Sequence, residues 1–427
     1  MLDFLGGKKI AILGFGKEGQ ATFEFLKQNR IFVNAVLDKE KPTVEVPANV
    51  ELITGPGYLD GLSNFDYIFR SPGFPRMHPK LIEFSVQENI LSHIKLFLRL
   101  CPCPVIAVTG TKGKTTTTSL IYEILKNSKE KVFLGGNMGV PPLGFLNELD
   151  KSSIVILELS SFQTIDLDNS PHVGVILAVT HDHLDDGTFK PSSHSTLGEY
   201  LQAKAQMIAK QNENDFAILH SGLNEIFKKS GMGKKIFFEP NDALLYKHKL
   251  LGKHNLENIA AAAKACSVVG VSEEAIKSGI QNFSGVAQRL QLVAKKNEIA
   301  FINDSASTNP DSTIAAVDSF DNNITLILGG SRKGLDYTEL GEKIVSSKQV
   351  KDLVIIGEVT DEIGRACSGF QGRILTGAKN MKEIIDQALS LTEAGGTVLF
   401  SPAAASFDMF KNSKDRGNQF DQIVNSI

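Results

Sequence analysis

The chain has 427 residues, 42% apolar and 22% charged, with 45 basic against 48 acidic side chains and a formal charge of −3. That length suits two or three domains, and the composition excludes a disordered or fibrous chain. With no basic excess a dedicated nucleic-acid binder is not expected, and no run of about 18 apolar residues predicts a membrane-spanning helix. The amino-terminal residues 1–9 lack the basic-then-apolar pattern of a signal peptide. Cys101, Cys103, Cys266 and Cys367 are too few and too scattered for a disulfide framework, and Cys101-Pro-Cys103 lacks the two-residue spacer of a redox or zinc pair. Buried reduced thiols in a cytoplasmic, monomeric protein without membrane insertion are therefore expected.

One pattern repeats along the chain: a β-branched apolar run, a Gly-rich turn, then an amphipathic stretch. Lys9–Gly14, Asn34–Asp38 and Tyr67–Arg70 form a first series of predicted strands, with a helix over Gln20–Asn29. Pro104–Thr109, Ser153–Glu158 and Val173–Ala178 form a second, and Ile299–Asn303, Ile324–Leu328, Leu353–Gly357 and Gly396–Phe400 a third. Apolar strands alternating with helical patterns predict an α/β chain with mainly parallel sheets, covered on both faces, with ligands beyond the C-terminal strand ends. Boundaries near Cys101–Pro104 and Ser284–Gly285 give domains 1–100, 101–284 and 285–427, and segments 186–198 and 229–242 read as loops or small excursions.

Gly14-Phe15-Gly16-Lys-Glu-Gly19 opens the first predicted helix, and Asp38 ends the next strand. Glycines here allow a tight turn and let a helix N-terminus approach a diphosphate, while Asp38 suits a ribose or base. A glycine turn that only packs helix on sheet is the alternative. The stronger signal is Thr109-Gly110-Thr111-Lys112-Gly113-Lys114-Thr115-Thr116, where a strand feeds a glycine loop and a Lys-Thr pair starts a helix. Backbone amides and the helix dipole can cradle phosphate oxygens, Lys114 reaches the terminal phosphates, and the Thr115 hydroxyl suits Mg²⁺. The usual first glycine is replaced by Val108, so this loop is a variant.

Glu158 ends the strand beside that loop, and Asp182-His183 follow the third strand of the series. A carboxylate and an imidazole at one sheet edge suit a metal ion. Gly252-Lys-His254-Asn255 precedes an Ala-rich helix predicted over Ile259–Val269. Asn255 and Asn258, three apart, either meet a purine edge or cap that helix.

Together these residues resemble the Mur ligase family, ATP-dependent enzymes that add amino acids to a UDP-sugar peptide during peptidoglycan synthesis, and so serve cell-wall biogenesis, cell shape and division. The loop Thr109–Thr115, Gly136-Asn137-Met-Gly139, Glu158-Leu-Ser-Ser161, Asp182-His183, Lys204 and Gly252–Asn255 fall in the family's order over essentially the whole chain. Within it, Gly14–Gly16 with Ser71-Pro72-Gly73, Asn303-Asp304-Ser305 with Thr308-Asn309, and Leu399–Asp408 with Phe410-Lys-Asn412 and Arg416-Gly417 are similar to the members that add D-glutamate. The resemblance implies a Rossmann-like N-terminal domain, a P-loop ATPase-like central domain and a Rossmann-like C-terminal domain. It also implies D-glutamate addition to UDP-N-acetylmuramoyl-L-alanine through an acyl phosphate.

Residue by residue, the resemblance gives Gly110–Thr116, Asn255, Asn258, Arg289 and Asp304 to ATP. Thr115, Glu158, His183 and a carbamylated Lys204 go to Mg²⁺. Gly14, Phe15, Gly16, Asp38, Ser71, Pro72, Gly73 and Asn137 go to the UDP-substrate, and Thr308, Lys333, Ser406 and Phe407 to D-glutamate. Lys114, Glu158, His183 and Lys204 would carry the chemistry. Ala306 and Ser413 depart from the pattern, standing where relatives have Lys and an aromatic. The rivals are another Mur ligase, a folylpolyglutamate-synthetase-like ligase, a nicotinamide-dependent dehydrogenase and a non-catalytic ATP-binding regulator. A dehydrogenase leaves Lys114 and Glu158 without work.

Overall fold

The computed structural model describes residues 2–84, 89–180, 194 and 196–427. The described residues form three α/β domains, each built on one sheet. In the first, β1 (Ile10–Leu13), β2 (Ala35–Asp38), β3 (Glu51–Thr54), β4 (Tyr67–Arg70) and β5 (Ile90–Leu91) lie in the order β3-β2-β1-β4-β5. Every pairing is parallel. Successive residues of β1 are buried on both faces: Ala11 and Leu13 pack with Leu37, Ile68 and Ile90, while Ile10 and Ile12 pack with Phe23, Leu26 and Phe97. Two-sided burial is the reason this strand reads as an unbroken apolar run.

The second sheet has β6 (Val105–Thr109), β7 (Val132–Gly136), β8 (Ile154–Glu158), β9 (Val173–Ile176), β10 (Phe216–His220) and β11 (Lys234–Phe238), all parallel, in the order β11-β10-β9-β6-β8-β7. The central β6 therefore has neighbours reached by connections on either side, the topological point at which α/β sheets bind ligands. The third sheet has β12 (Gln291–Lys296), β13 (Ile299–Asn303), β14 (Ile324–Gly329), β15 (Val350–Ile356), β16 (Arg373–Leu375) and β17 (Thr397–Phe400), ordered β12-β13-β17-β14-β15-β16. Only β12 with β13 is antiparallel among the described pairings.

The chain divides into two compact units, Met1–Lys247 with Leu256–Gln281, and His248–Asn255 with Asn282–Ile427. Within the first unit a buried ionic knot joins the first two sheets. Arg70 Nε donates to Asp166 Oδ2 at 2.6 Å, its remaining donors reach the carbonyls of Phe162 and Phe74, and Arg76 Nε lies 2.9 Å from Asp166 Oδ1. His93 is buried too, accepting the Leu143 N–H at 3.1 Å and sharing a 2.8 Å hydrogen bond with Thr22. Burial pushes this imidazole down to about 3, so it is neutral.

Four sequence expectations change. The first helix starts at Lys17 instead of Gln20, because Gly16 is its N-cap. The Ala-rich helix runs over His254–Val268, so Asn255 and Asn258 lie inside it. Segment 229–242 contains β11, an edge strand whose two lysines masked its pattern. The thiols also divide: Cys266 and Cys367 are buried, but Cys101 and Cys103 are only half-buried.

Candidate active site

The variant glycine loop lies between β6 and the helix Lys114–Lys126. Gly110 has φ +157° and Gly113 φ +83°, the latter as N-cap of the helix. A Cβ on Gly113 would sit 2.2 Å from Asn258 Oδ1, and one on Gly110 2.7 Å from Leu177 Cβ. Both glycines are thus required by backbone angle and by close approach. The Lys114 ammonium donates to the carbonyls of Gly110 (3.0 Å) and Thr111 (2.8 Å), curling the loop around a cation. Asn258 braces the helix from the other side by accepting the Thr117 hydroxyl at 3.1 Å. Lys112 is exposed, and Thr115 and Thr116 are half-buried in the first helical turn.

Lys204, which by pattern alone reads as a solvated lysine, is 2% exposed. Its Nζ donates to the same Gly110 carbonyl at 2.9 Å and stands 4.5 Å from the centre of the Tyr200 ring. The Tyr200 hydroxyl in turn meets Thr111 Oγ1 at 3.0 Å. Glu158 pairs in register with Val108 at the end of β8 and is also 2% exposed. Its Oε1 accepts the Asn137 amide at 2.7 Å, and the Asn137 N–H reaches its carbonyl at 2.8 Å. Glu158 Oε2 is buried with no hydrogen-bond partner among the described residues. A buried carboxylate oxygen left over beside a phosphate-type loop fits a hard cation. His183, with Asp182, lies outside the described residues. Among the described residues no cluster of three or more His, Cys, Asp or Glu side chains suits a metal.

In the first domain Gly14 has φ +89°, and a Cβ there would come 2.9 Å from Ser71 Cβ. Ser71 Oγ donates to the Gly14 carbonyl at 2.7 Å, and Asp38 Oδ2 accepts the Phe15 N–H at 3.0 Å. Asp38 and Ser71 therefore fix the glycine turn, leaving the N-terminus of the helix Lys17–Gln28 beyond exposed Gly16. Phe15 is buried against Phe23, with its N–H on Asp38 and its carbonyl on the Gln20 amide, so it shapes the turn; Pro72 is half-buried and Gly73 exposed.

The second unit holds the remaining expected residues. Asp304 is buried and accepts the Leu290 N–H (3.1 Å) and the hydroxyls of Ser307 (2.6 Å) and Ser401 (2.7 Å). Burial still pushes its carboxyl up from the usual value, against those donors. Arg289 is exposed, and Asn255 donates to the Leu251 carbonyl at 2.6 Å. The two asparagines expected on one purine edge fall in different units and each makes an internal bond. Ser406 is buried, Thr308 exposed, and exposed Lys333 lies 5.5 Å from the centre of the Phe407 ring.

The family pattern described as the Mur ligase middle domain matches residues 108–232, the Mur ligase glutamate ligase domain 288–404, and the MurD-like N-terminal domain 8–91. The UDP-N-acetylmuramoylalanine–D-glutamate ligase of Ruminiclostridium cellulolyticum is 34% identical, with 98% of this chain and 97% of that protein covered. The chain belongs to the Mur ligase family. The Pelotomaculum thermopropionicum protein of the same name is also 34% identical, over 100% of this chain and 99% of that one. In fold, the chain is similar to a MurF ligase from Thermotoga maritima solved with ADP, at 18% identity and TM-score 0.57, covering 98% of this chain and 95% of that one. Membership makes this an ATP-dependent, amide-bond-forming Mur ligase.

Three buried residues lie against expected ones, and two of them, Tyr200 and His194, the sequence did not single out. Tyr200 lies four before Lys204, a helical spacing that places both on one face and could have been read. His194 stacks on Phe162 at 4.6 Å with its Nε2 2.8 Å from Ser161 Oγ. Arg416 is fully buried, donating to the carbonyls of Ala404, Ala405 and Ser305, and burial lowers it to about 10. His194 carries no local sequence signal, since its partners are distant in sequence, whereas Arg416 belongs to the C-terminal motif, which does not show that it is buried.

Proposed function

We propose that the chain joins D-glutamate to UDP-N-acetylmuramoyl-L-alanine with ATP, giving ADP, phosphate and the D-glutamyl amide, in peptidoglycan precursor synthesis on the cytoplasmic side where ATP is found. The observation that carries this reading is full-length similarity, at 34% identity, to a ligase of that name. The geometry supports the chemistry. A carboxylate is a poor electrophile, so the UDP-substrate's carboxylate is first phosphorylated, and the acyl phosphate then accepts the D-glutamate amine.

Lys114 and the amides at the start of its helix bind the ATP phosphates, once the ammonium exchanges the Gly110 and Thr111 carbonyls for phosphate oxygens. Thr115, Glu158 through its spare oxygen, and from sequence alone His183, hold Mg²⁺. A bound divalent cation supplies positive charge to the transferring phosphoryl. Two ammonium groups on one carbonyl oxygen repel each other, so Lys204 acts as a carbamate, whose oxygens suit a hard cation. Asn137 fixes the Glu158 rotamer and faces the muramyl side. The N–H groups of Gly16 and Gly73, on turns shaped by Gly14, Phe15, Ser71 and Pro72, take the diphosphate, with Asp38 towards the nucleoside. Lys333, Thr308, Ser406 and Phe407 take D-glutamate, and Asn255, Asn258, Arg289 and Asp304 take the adenosine side of ATP.

Phosphate release measured with each substrate omitted in turn tests the reaction. Release that requires both D-glutamate and the UDP-substrate is expected; release independent of either, or dependent on another amino acid, refutes it. Lys204→Ala should lose most turnover while remaining folded, with partial rescue by acetate, and near-wild-type turnover refutes the carbamate.

A further inference from the structure

Cys101 and Cys103 flank Pro102, where the helix His93–Leu100 ends and β6 begins. Their Sγ atoms lie 3.6 Å apart, and Cys101 Sγ is 3.5 Å from the Cys103 carbonyl oxygen. Both thiols line a surface cavity of about 350 Å³ whose wall also holds Lys210, His172 and Asp215. The pair sits at the N-terminal end of β6, while the phosphate-type loop follows its C-terminal end, so the cavity is separate from the site described above.

We propose that Cys101 and Cys103 form a reversible intrachain disulfide when the protein meets a hydroperoxide. The Cys101 thiolate attacks one peroxide oxygen, the O–O bond breaks, and hydroxide leaves a sulfenic acid on Cys101. The Cys103 thiol then attacks that sulfur, the S–S bond forms, and water departs. The hydroxide takes up the proton that the Cys101 thiol gave up, so two thiols lose two electrons in all and one hydrogen peroxide becomes two waters.

The surroundings favour this order. The hydrogen bond between the two sulfurs holds the Cys101 thiol below its ordinary value, and the same bond with burial pushes Cys103 up. One thiol is thus the nucleophile and the other the resolving partner. Cys266 and Cys367 are buried, and burial pushes both up, Cys367 to about 11, so they stay inert. Bridging residues two apart strains the ring, so the disulfide opens readily to a dithiol reductant.

The full chain, reduced, exposed to a few equivalents of hydrogen peroxide, denatured and alkylated, tests this. The four thiols should fall to two, the peptide holding Cys101 and Cys103 should be lighter by about 2 Da, and dithiothreitol should restore four. Cys103→Ser should instead leave Cys101 trapped by a sulfenic-acid reagent, while the Cys266→Ser, Cys367→Ser double variant should still lose both remaining thiols. Added oxygen on Cys101 without the lighter peptide, chains cross-linked to each other, oxidation of Cys266 or Cys367 as fast as Cys101, or four thiols throughout would each overturn it.

Discussion

Replacing Gly113 by alanine perturbs the phosphate-type loop in two separable ways. At φ +83° an L-residue costs about 1–2 kcal/mol. The new Cβ would also lie 2.2 Å from Asn258 Oδ1, so that side chain must leave. Its departure strips the 3.1 Å hydrogen bond from Thr117, whose hydroxyl is fully buried, a loss of about 1–3 kcal/mol. The sum is about 2–5 kcal/mol, or roughly thirtyfold to a few thousandfold if borne by the loop's binding conformation. Calorimetric titration with ADP reads that loss, with a melting scan beside it. Gly395→Ala is the control, having the same φ of +83° and nothing within 4 Å of its Cβ. It should show the backbone cost alone and bind ADP as the parent does. Parental ADP affinity in Gly113→Ala, or an equal loss in both variants, would refute the reasoning.

Arg70→Ala should cost about 3–5 kcal/mol, because among the described residues Asp166 would stay buried with Arg76 as its one charged partner; urea unfolding checks this. Glu18 is pushed up to about 7 by burial, against the Gln163 hydrogen bond and the Arg70 charge. Its folded value lies above the unfolded 4.5, so the stability it contributes is full below 4.5 and disappears as the pH rises through about 7. Glu18→Gln should therefore melt progressively higher relative to the parent from about pH 5 to about pH 8, and a pH-independent difference would contradict the assignment. Lys333→Ala should raise the KM for D-glutamate about tenfold to a hundredfold, from losing a charge-assisted partner worth about 1.5–3 kcal/mol, with ADP binding retained. An equal loss of ADP affinity would place Lys333 elsewhere.

The interior strands were legible because two-sided burial demands unbroken apolar runs: Tyr67–Arg70 and Ile299–Asn303 begin and end where the pattern places them. Edge strands were not. Glu51–Thr54 and Lys234–Phe238 are largely solvent-facing, so their residues answer to solubility as much as to pairing. Phe216–His220, an interior strand, carries the apolar pattern in its sequence. The glycine loops were the most legible part of the site, since a positive φ leaves few alternatives to glycine at Gly14 and Gly113.

The sequence by itself determined the α/β alternation, the strand–loop–helix at Thr109–Lys126 and the family's order of motifs, because these rest on local periodicity and backbone angles. Tertiary structure alone decided that Lys204 is buried on the Gly110 carbonyl, since a lysine on a helix face suits water or a core equally until something covers it. It also decided that Asn137 takes one Glu158 oxygen and leaves the other without a partner among the described residues, and that Asp38 and Ser71 brace the first glycine turn. Each of these depends on groups brought together from distant strands, and no local pattern records which donor a buried carboxylate will meet.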